Sequence, residues 1–138
     1  MNEWIYNNEI LLNIEDYIGF VYQITNITNG KKYIGKKNFY FIRSKMIKKK
    51  KKKVKIESDW KSYYGSNKIL LEDVKTLGKD NFKREIIVLC KTKSEFAYFE
   101  AKLQFDNNVL LSDEYYNEWI MVRIHKKHLN SLINKDII

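Results

Sequence analysis

Glu100 is the residue whose setting is hardest to explain without chemistry. It falls in the run EFAYFEAKLQF, which Ser94 can cap as a helix. Phe96, Phe99 and Leu103 would form the apolar stripe of that helix. At about 100° per residue, Glu100 lies inside the stripe, one turn after Phe96. A carboxylate aimed at a core must be paired, protonated or bound to a metal ion. The residues alone leave a structural ion pair and a metal ligand equally open. Arg43 repeats the anomaly, in line with Phe39 and Ile47. A snorkelling side chain or a buried pair would also account for it. Tyr22 and Tyr33 bring phenols onto neighbouring strand segments, where ordinary sheet packing is the plain reading.

Charge is the second signal. The 138 residues carry a net charge of +9, but residues 31–61 hold fourteen of the 26 basic side chains against two acids, Glu57 and Asp59. That stretch carries +12 and the remainder −3. A basic face on a mildly acidic body suits a polyanion, nucleic acid first. A solvated lysine loop that aids solubility is the bland alternative. Lysine outnumbers arginine 23 to 3, so Arg43, Arg84 and Arg123 stand out. A planar guanidinium fork is not replaceable by lysine where phosphate must be gripped.

The elements that would position these groups can be read in outline. Residues 1–18 are a lead-in that packs on the core as a helix or strand, through Trp4, Ile5, Ile10, Leu11 and Ile14. From Gly19 the pattern has period two, and Asn29-Gly30 marks a turn before KKYIGKK. The spacing predicts a hairpin with Tyr22 and Tyr33 on its arms, Gly35 allowing close backbone approach. Phe39, Arg43, Met46 and Ile47 recur at helical spacing, so a helix is expected over 39–47. The run Lys48, Lys49, Lys50, Lys51, Lys52, Lys53 then reads as an exposed loop or frayed helix end, because like charges repel. Ser66 can cap a helix through Leu77, with Leu70, Val74 and Leu77 inward and Gly78 as its stop. FKREIIVLC reads as a buried strand. YYNEWIMVRI is a strand or irregular segment on the core, and residues 126–138 form a polar tail.

VY at 21–22 and YIG at 33–35, joined by a short glycine-containing turn, resemble the paired motif of the GIY-YIG nuclease family. GFVY stands where GIY would, while Tyr33-Ile34-Gly35 is intact. The family's order of an arginine about ten residues on, a glutamate on a later helix and a tyrosine-asparagine pair is matched by Arg43, Glu100 and Tyr116-Asn117. WKSYYGSN followed by a helix, a glycine and a strand is similar to members from phages. The resemblance covers residues 19–125. The histidine that several members carry is missing at both usual places; Tyr63 or Tyr64 would fill the second, and Lys36 or Lys37 would supply positive charge. His125 and His128, with one distant cysteine, make a poor zinc set.

The resemblance implies an α+β fold, a three-stranded antiparallel sheet flanked by helices. It implies hydrolysis of phosphodiesters in double-stranded DNA, site- or structure-selective, in a phage, mobile-element or restriction setting. Tyr22, Tyr33, Lys36, Arg43, Tyr64, Glu100 and Asn117 would form the catalytic set. Glu100 would hold one Mg²⁺, or Mn²⁺ in its place. Arg43 would neutralise transition-state charge. Tyr22 or Tyr33 would position or deprotonate water. Only about 0.1% of a free tyrosine is phenolate at neutral pH, so cations such as Lys36, Arg43 and the metal would have to lower its pKa. Lys37, Lys48 to Lys53 and Lys61 would bind DNA.

No apolar run approaches the length of a membrane span, no signal peptide is evident, and Cys90 alone cannot form an intrachain disulfide. A cytoplasmic setting, that of the host cell for a phage protein, is expected. Only 13 residues follow residue 125, too few for a separate DNA-binding domain, so selectivity would come from insertions, a partner or dimerisation. Cutting both strands would need a homodimer or two visits. Two other readings compete: a catalytically silent nucleic-acid-binding module of the same fold, and a basic structural protein that binds DNA through Lys48 to Lys53 alone. Metal-dependent cleavage separates the enzyme from both.

Overall fold

In the computed structural model, which describes residues 3–122, the period-two run from Gly19 becomes a strand. The elements in order are β1 (Trp4–Tyr6), β2 (Glu9–Ile10), β3 (Gly19–Asn26), β4 (Lys32–Asn38), β5 (Tyr40–Ile47), β6 (Lys50–Glu57), α1 (Lys68–Leu77), β7 (Phe82–Cys90) and α2 (Lys93–Asp106). Single 3₁₀ turns lie at Trp60–Ser62 and Lys79–Asn81. The expected hairpin is β3–β4, closed through Gly30 at φ 77°. With β7 on its other side, β3 completes the expected three antiparallel strands.

The architecture is α+β, and its sheet is larger than expected: five strands in the order β2-β1-β7-β3-β4. The extra two come from the N-terminal lead-in. β1 runs parallel to β7, Trp4 opposite Arg84, and β2 pairs antiparallel with β1. Trp4 is buried, and its indole N–H donates to the Trp60 carbonyl at 2.6 Å. Burying a large apolar side chain contributes about 1.5–3 kcal/mol, enough to fasten a three-residue strand that propensity alone would not hold.

The two faces of the sheet carry separate cores. Phe20, Tyr22 and Ile24 meet Trp4, Phe39, Trp60, Tyr64, Leu70 and Phe82 on one face. Val21, Ile34 and Cys90 meet Phe96 and Val109 on the other. α1 lies over the first face, burying Leu70 and Val74. Its cap is Asn67, whose side chain accepts from the Leu70 N–H, rather than Ser66 one residue earlier. Gly78 ends it as expected, its N–H donating to the Val74 carbonyl. α2 lies on the second face and is capped by Thr92, not Ser94.

The helix expected over 39–47 does not form. Residues 40–47 are β5, paired along their full length with β6. The apolar residues at helical spacing are outweighed by the β-branched Ile42, Val54 and Ile56, which favour the strand. Charge decides as well. In a strand, successive lysines point to opposite faces, which separates the like charges of Lys50 to Lys53. The lysine run is therefore not a loop. Lys48 and Lys49 make the turn, with φ of 50° and 63°, and Lys50 to Lys53 lie in β6. From 115 to 122 the chain is irregular and runs along β4, with a parallel bridge between Lys32 and Tyr115. Arg123, His125, His128 and the polar tail lie outside the described residues.

Candidate active site at the β4 edge

β4 is one of the two edge strands of the sheet, and the site wraps around it. Alternation puts Tyr33 and Gly35 on the face of the first core and Ile34 and Lys36 on the face of α2. The two sets meet in an open cavity of about 580 Å³, lined by Tyr33, Lys36, Ser66, Glu100, Gln104, Trp119 and Met121.

Glu100 reaches this cavity from α2. Its side chain is only 16% exposed, and the Lys36 ammonium is 3.9 Å away. That separation is an ion pair without a close hydrogen bond. No other partner of the carboxylate is present among the described residues. Burial raises its pKa and Lys36 partly offsets this. A half-desolvated carboxylate with one loose partner has room for a cation. No group of three His, Cys, Asp or Glu side chains gathers among the described residues, so an ion caged wholly by protein does not fit. One carboxylate beside hydroxyls suits a hard ion such as Mg²⁺, which keeps most of its waters.

The tyrosines divide into layers. The Tyr33 hydroxyl faces the cavity and lies 3.1 Å from the Ser66 hydroxyl. Tyr22 is 1% exposed, its ring 6.1 Å from that of Tyr33. The register of β3 against β7 shifts between Val21 and Tyr22, a bulge of the kind that re-aims a side chain beside a site. Tyr22 then lies across Gly35, where a Cβ would come within 2.5 Å of its hydroxyl. Its ring meets that of Tyr63 edge-on, with centroids 5.9 Å apart. Burial raises the pKa of both Tyr22 and Tyr33; Tyr63 and Glu100 add to it, and at Tyr33 the Ser66 hydrogen bond offsets part of it. Neither Lys36 nor Arg43 is among the groups that act on the two phenols, and burial favours the protonated form of both.

Arg43 is not in this cluster. It lies on β5, exposed, with its guanidinium 5.4 Å from the Phe41 ring. Tyr64 is also elsewhere, under the Arg84 guanidinium at 4.1 Å on the Trp4 side of the core. Of the two tyrosines considered, Tyr63 is the one that meets Tyr22. Arg84 serves the site indirectly. It is buried and donates to the carbonyls of Lys61 and Tyr63, at 3.1 and 2.8 Å, holding the turn that delivers Tyr63.

Asn117 comes to the site without entering it. Its amide pairs with the backbone of Ile34 as a neighbouring strand would: Oδ1 accepts from the N–H at 3.0 Å and Nδ2 donates to the carbonyl at 2.7 Å. Gln104 donates to the same carbonyl at 2.9 Å. These two side chains satisfy the free edge between Tyr33 and Gly35 and fix its position. Gln104 lies one helical turn after Glu100, so its inward direction was readable from the stripe that exposed Glu100. Ser66, read as a cap, and Trp119 gave no such signal. Among the basic residues, Lys37 is tied to Asp59 at 2.6 Å, while Lys61 is largely exposed beside Glu57.

A family model described as "Putative endonuclease segE, GIY-YIG domain" matches residues 4–120. The chain therefore belongs to the GIY-YIG family, in the branch of segE-type domains. A curated protein of Enterobacteria phage T4, "Putative endonuclease segE", is 32% identical over 98 residues, which is 71% of this chain and 39% of the phage protein. No solved structure matches the chain. No described helix is long and apolar enough to cross a membrane.

Proposed function

We propose that this chain is a metal-dependent endonuclease that hydrolyses phosphodiester bonds in double-stranded DNA. The observation that carries the reading is the shared cavity of Tyr33, Lys36 and Glu100 at the β4 edge. Membership of the segE branch supports the choice of nuclease over other phosphodiester chemistry.

Glu100 would hold a divalent ion, Mg²⁺ or Mn²⁺, which would supply charge stabilisation at the leaving 3′-oxygen. Lys36 sets a cation beside that carboxylate, where the scissile phosphate would lie. It takes over the charge-neutralising part first expected of Arg43. Tyr33, reachable from the cavity, hydrogen-bonds and orients the attacking water as a neutral phenol. Buried Tyr22 and half-buried Tyr63 form the layer behind the Tyr33 ring. Asn117 and Gln104 hold the strand between them.

The test is cleavage of supercoiled plasmid with Mg²⁺ and again with EDTA. Nicking or linearisation only with the metal supports the enzyme. DNA binding without cleavage in either would favour the catalytically silent module.

A further inference from the structure

The hairpin β5–β6 stands apart from the sheet. Its contacts run overwhelmingly between its own two strands, and beyond Phe41 most of its residues are exposed. Residues 40–57 hold nine basic side chains against one acid, Glu57. Lys45 lies directly opposite Lys52 in the pairing. Facing like charges destabilise a ribbon, and an isolated two-stranded hairpin is marginal in water. A polyanion laid against it removes both difficulties.

Its dimensions select the polyanion. Eight residues per strand at about 3.3 Å each give an arm roughly 26 Å long and two strands wide. The major groove of B-form DNA, about 12 Å wide, admits a two-stranded ribbon. The exposed apolar side chains Ile47 and Ile56, on the face that also carries Arg43 and Lys45, suit thymine methyl groups in that groove.

The register sorts the charges onto two faces. Phe41, Arg43, Lys45, Lys50 and Lys52 share one face, and Lys51, Lys53 and Lys55 share the other. The first face is continuous with the site. The Lys37 ammonium lies 4.1 Å from the Tyr63 ring and 5.1 Å from the Phe41 ring, and Arg43 stacks on Phe41 in turn. A stack of alternating rings and cations thus leads from Tyr63, beside Tyr22, onto the arm.

We infer that β5–β6 is a DNA-binding arm that enters the major groove beside the cleavage position, with the Arg43, Lys45, Lys50 and Lys52 face against the duplex. The inference rests on duplex DNA being the substrate. It goes beyond the cleavage chemistry by naming the element that holds the duplex and the face that touches it.

The experiment compares two full-length variants, Lys45→Gln/Lys50→Gln/Lys52→Gln and Lys51→Gln/Lys53→Gln/Lys55→Gln, on one duplex in EDTA. Hydrolysis plays no part in the readout, so a failure of the nuclease reading leaves it intact. Each triple removes the same charge. The inference expects the first to lose at least about tenfold in affinity and to flatten the slope of log K against log salt by about 2 to 3, at ~0.9 per lost phosphate contact. The second should change affinity less than about threefold. Equal losses from both faces, or none from either, would overturn it. Dimethyl sulfate footprinting of the wild-type complex locates the groove, and protection of guanine N7 is expected. Protection confined to adenine N3, in the minor groove, would also overturn it.

Discussion

The hydroxyl of Tyr22 lies 2.5 Å from the point where a Cβ at Gly35 would stand. The first tyrosine of the paired motif thus occupies the space that the glycine of the second leaves empty. Gly35→Ala would push Tyr22 and the Tyr33 ring, which comes within 2.9 Å of the same point. Overpacking of this kind costs roughly 1–3 kcal/mol. Thermal unfolding should show a loss of several degrees, and cleavage should fall further than stability explains, because both motif tyrosines shift. An alanine variant of wild-type activity would show that the packing of Tyr22 over Gly35 does not serve the site.

Tyr33→Phe should lower kcat by about 10²-fold, the scale on which a misplaced reactant slows a reaction, because the hydroxyl that would orient the attacking water is gone. Tyr22→Phe should cost less, since Tyr22 is buried rather than open to the cavity. Single-turnover cleavage measures both. A fully active Tyr33→Phe would return that residue to ordinary sheet packing.

Asn117→Ala removes the acceptor for the Ile34 N–H in a buried setting. An unsatisfied buried group costs about 1–3 kcal/mol. Gln104→Ala should cost less, because Asn117 still donates to the same carbonyl. Denaturant unfolding of the two variants gives the order, and equal losses would contradict it.

Arg43→Ala should keep kcat within about threefold and act on KM and salt dependence instead, since Arg43 lies on the arm rather than in the cavity. Steady-state cleavage of one duplex separates the two effects. A loss confined to kcat would restore the catalytic part first expected of it.

What the residues disclosed and what they hid follow from physical causes. Tyr22, Tyr33 and Gly35 were legible because period-two alternation and an Asn29-Gly30 turn are local signals. Glu100 was legible because a charge in an apolar stripe contradicts its surroundings. Arg43 misled because Phe39, Met46 and Ile47 fit helical spacing, while the turn that makes a strand of them is Lys48-Lys49. Neither is a glycine or asparagine, and both take positive φ. The parallel pairing of β1 with β7 joins residues about 80 positions apart, which no local pattern can report. Tyr63 and Tyr64 are adjacent, so only the fold could tell which one meets Tyr22.

Cys90 is fully buried, and burial pushes its thiol up to about 12. The native thiol stays neutral across the working range, and the thiolate is the reactive form. At pH 8 Ellman's reagent should leave the folded protein unlabelled and react with one thiol after unfolding. Linkage has a definite sign. The unfolded thiol ionises near its usual value of 9.0, while the folded thiol resists until about 12. Its contribution to stability is therefore complete below pH 9 and declines as pH rises from there toward 12. Rapid labelling of the folded protein at pH 8 would contradict this packing.

The most direct test of the site is Glu100→Gln, which keeps the shape of the side chain and removes the charge that would hold the ion. Cleavage of a duplex is measured with Mg²⁺ alongside binding of the same duplex in EDTA. The account predicts that cleavage is lost, by at least about 10³-fold, while binding stays within about threefold of wild type. Near-native cleavage by the variant in Mg²⁺ would make Glu100 only a structural partner of Lys36 and would contradict the proposed metal site.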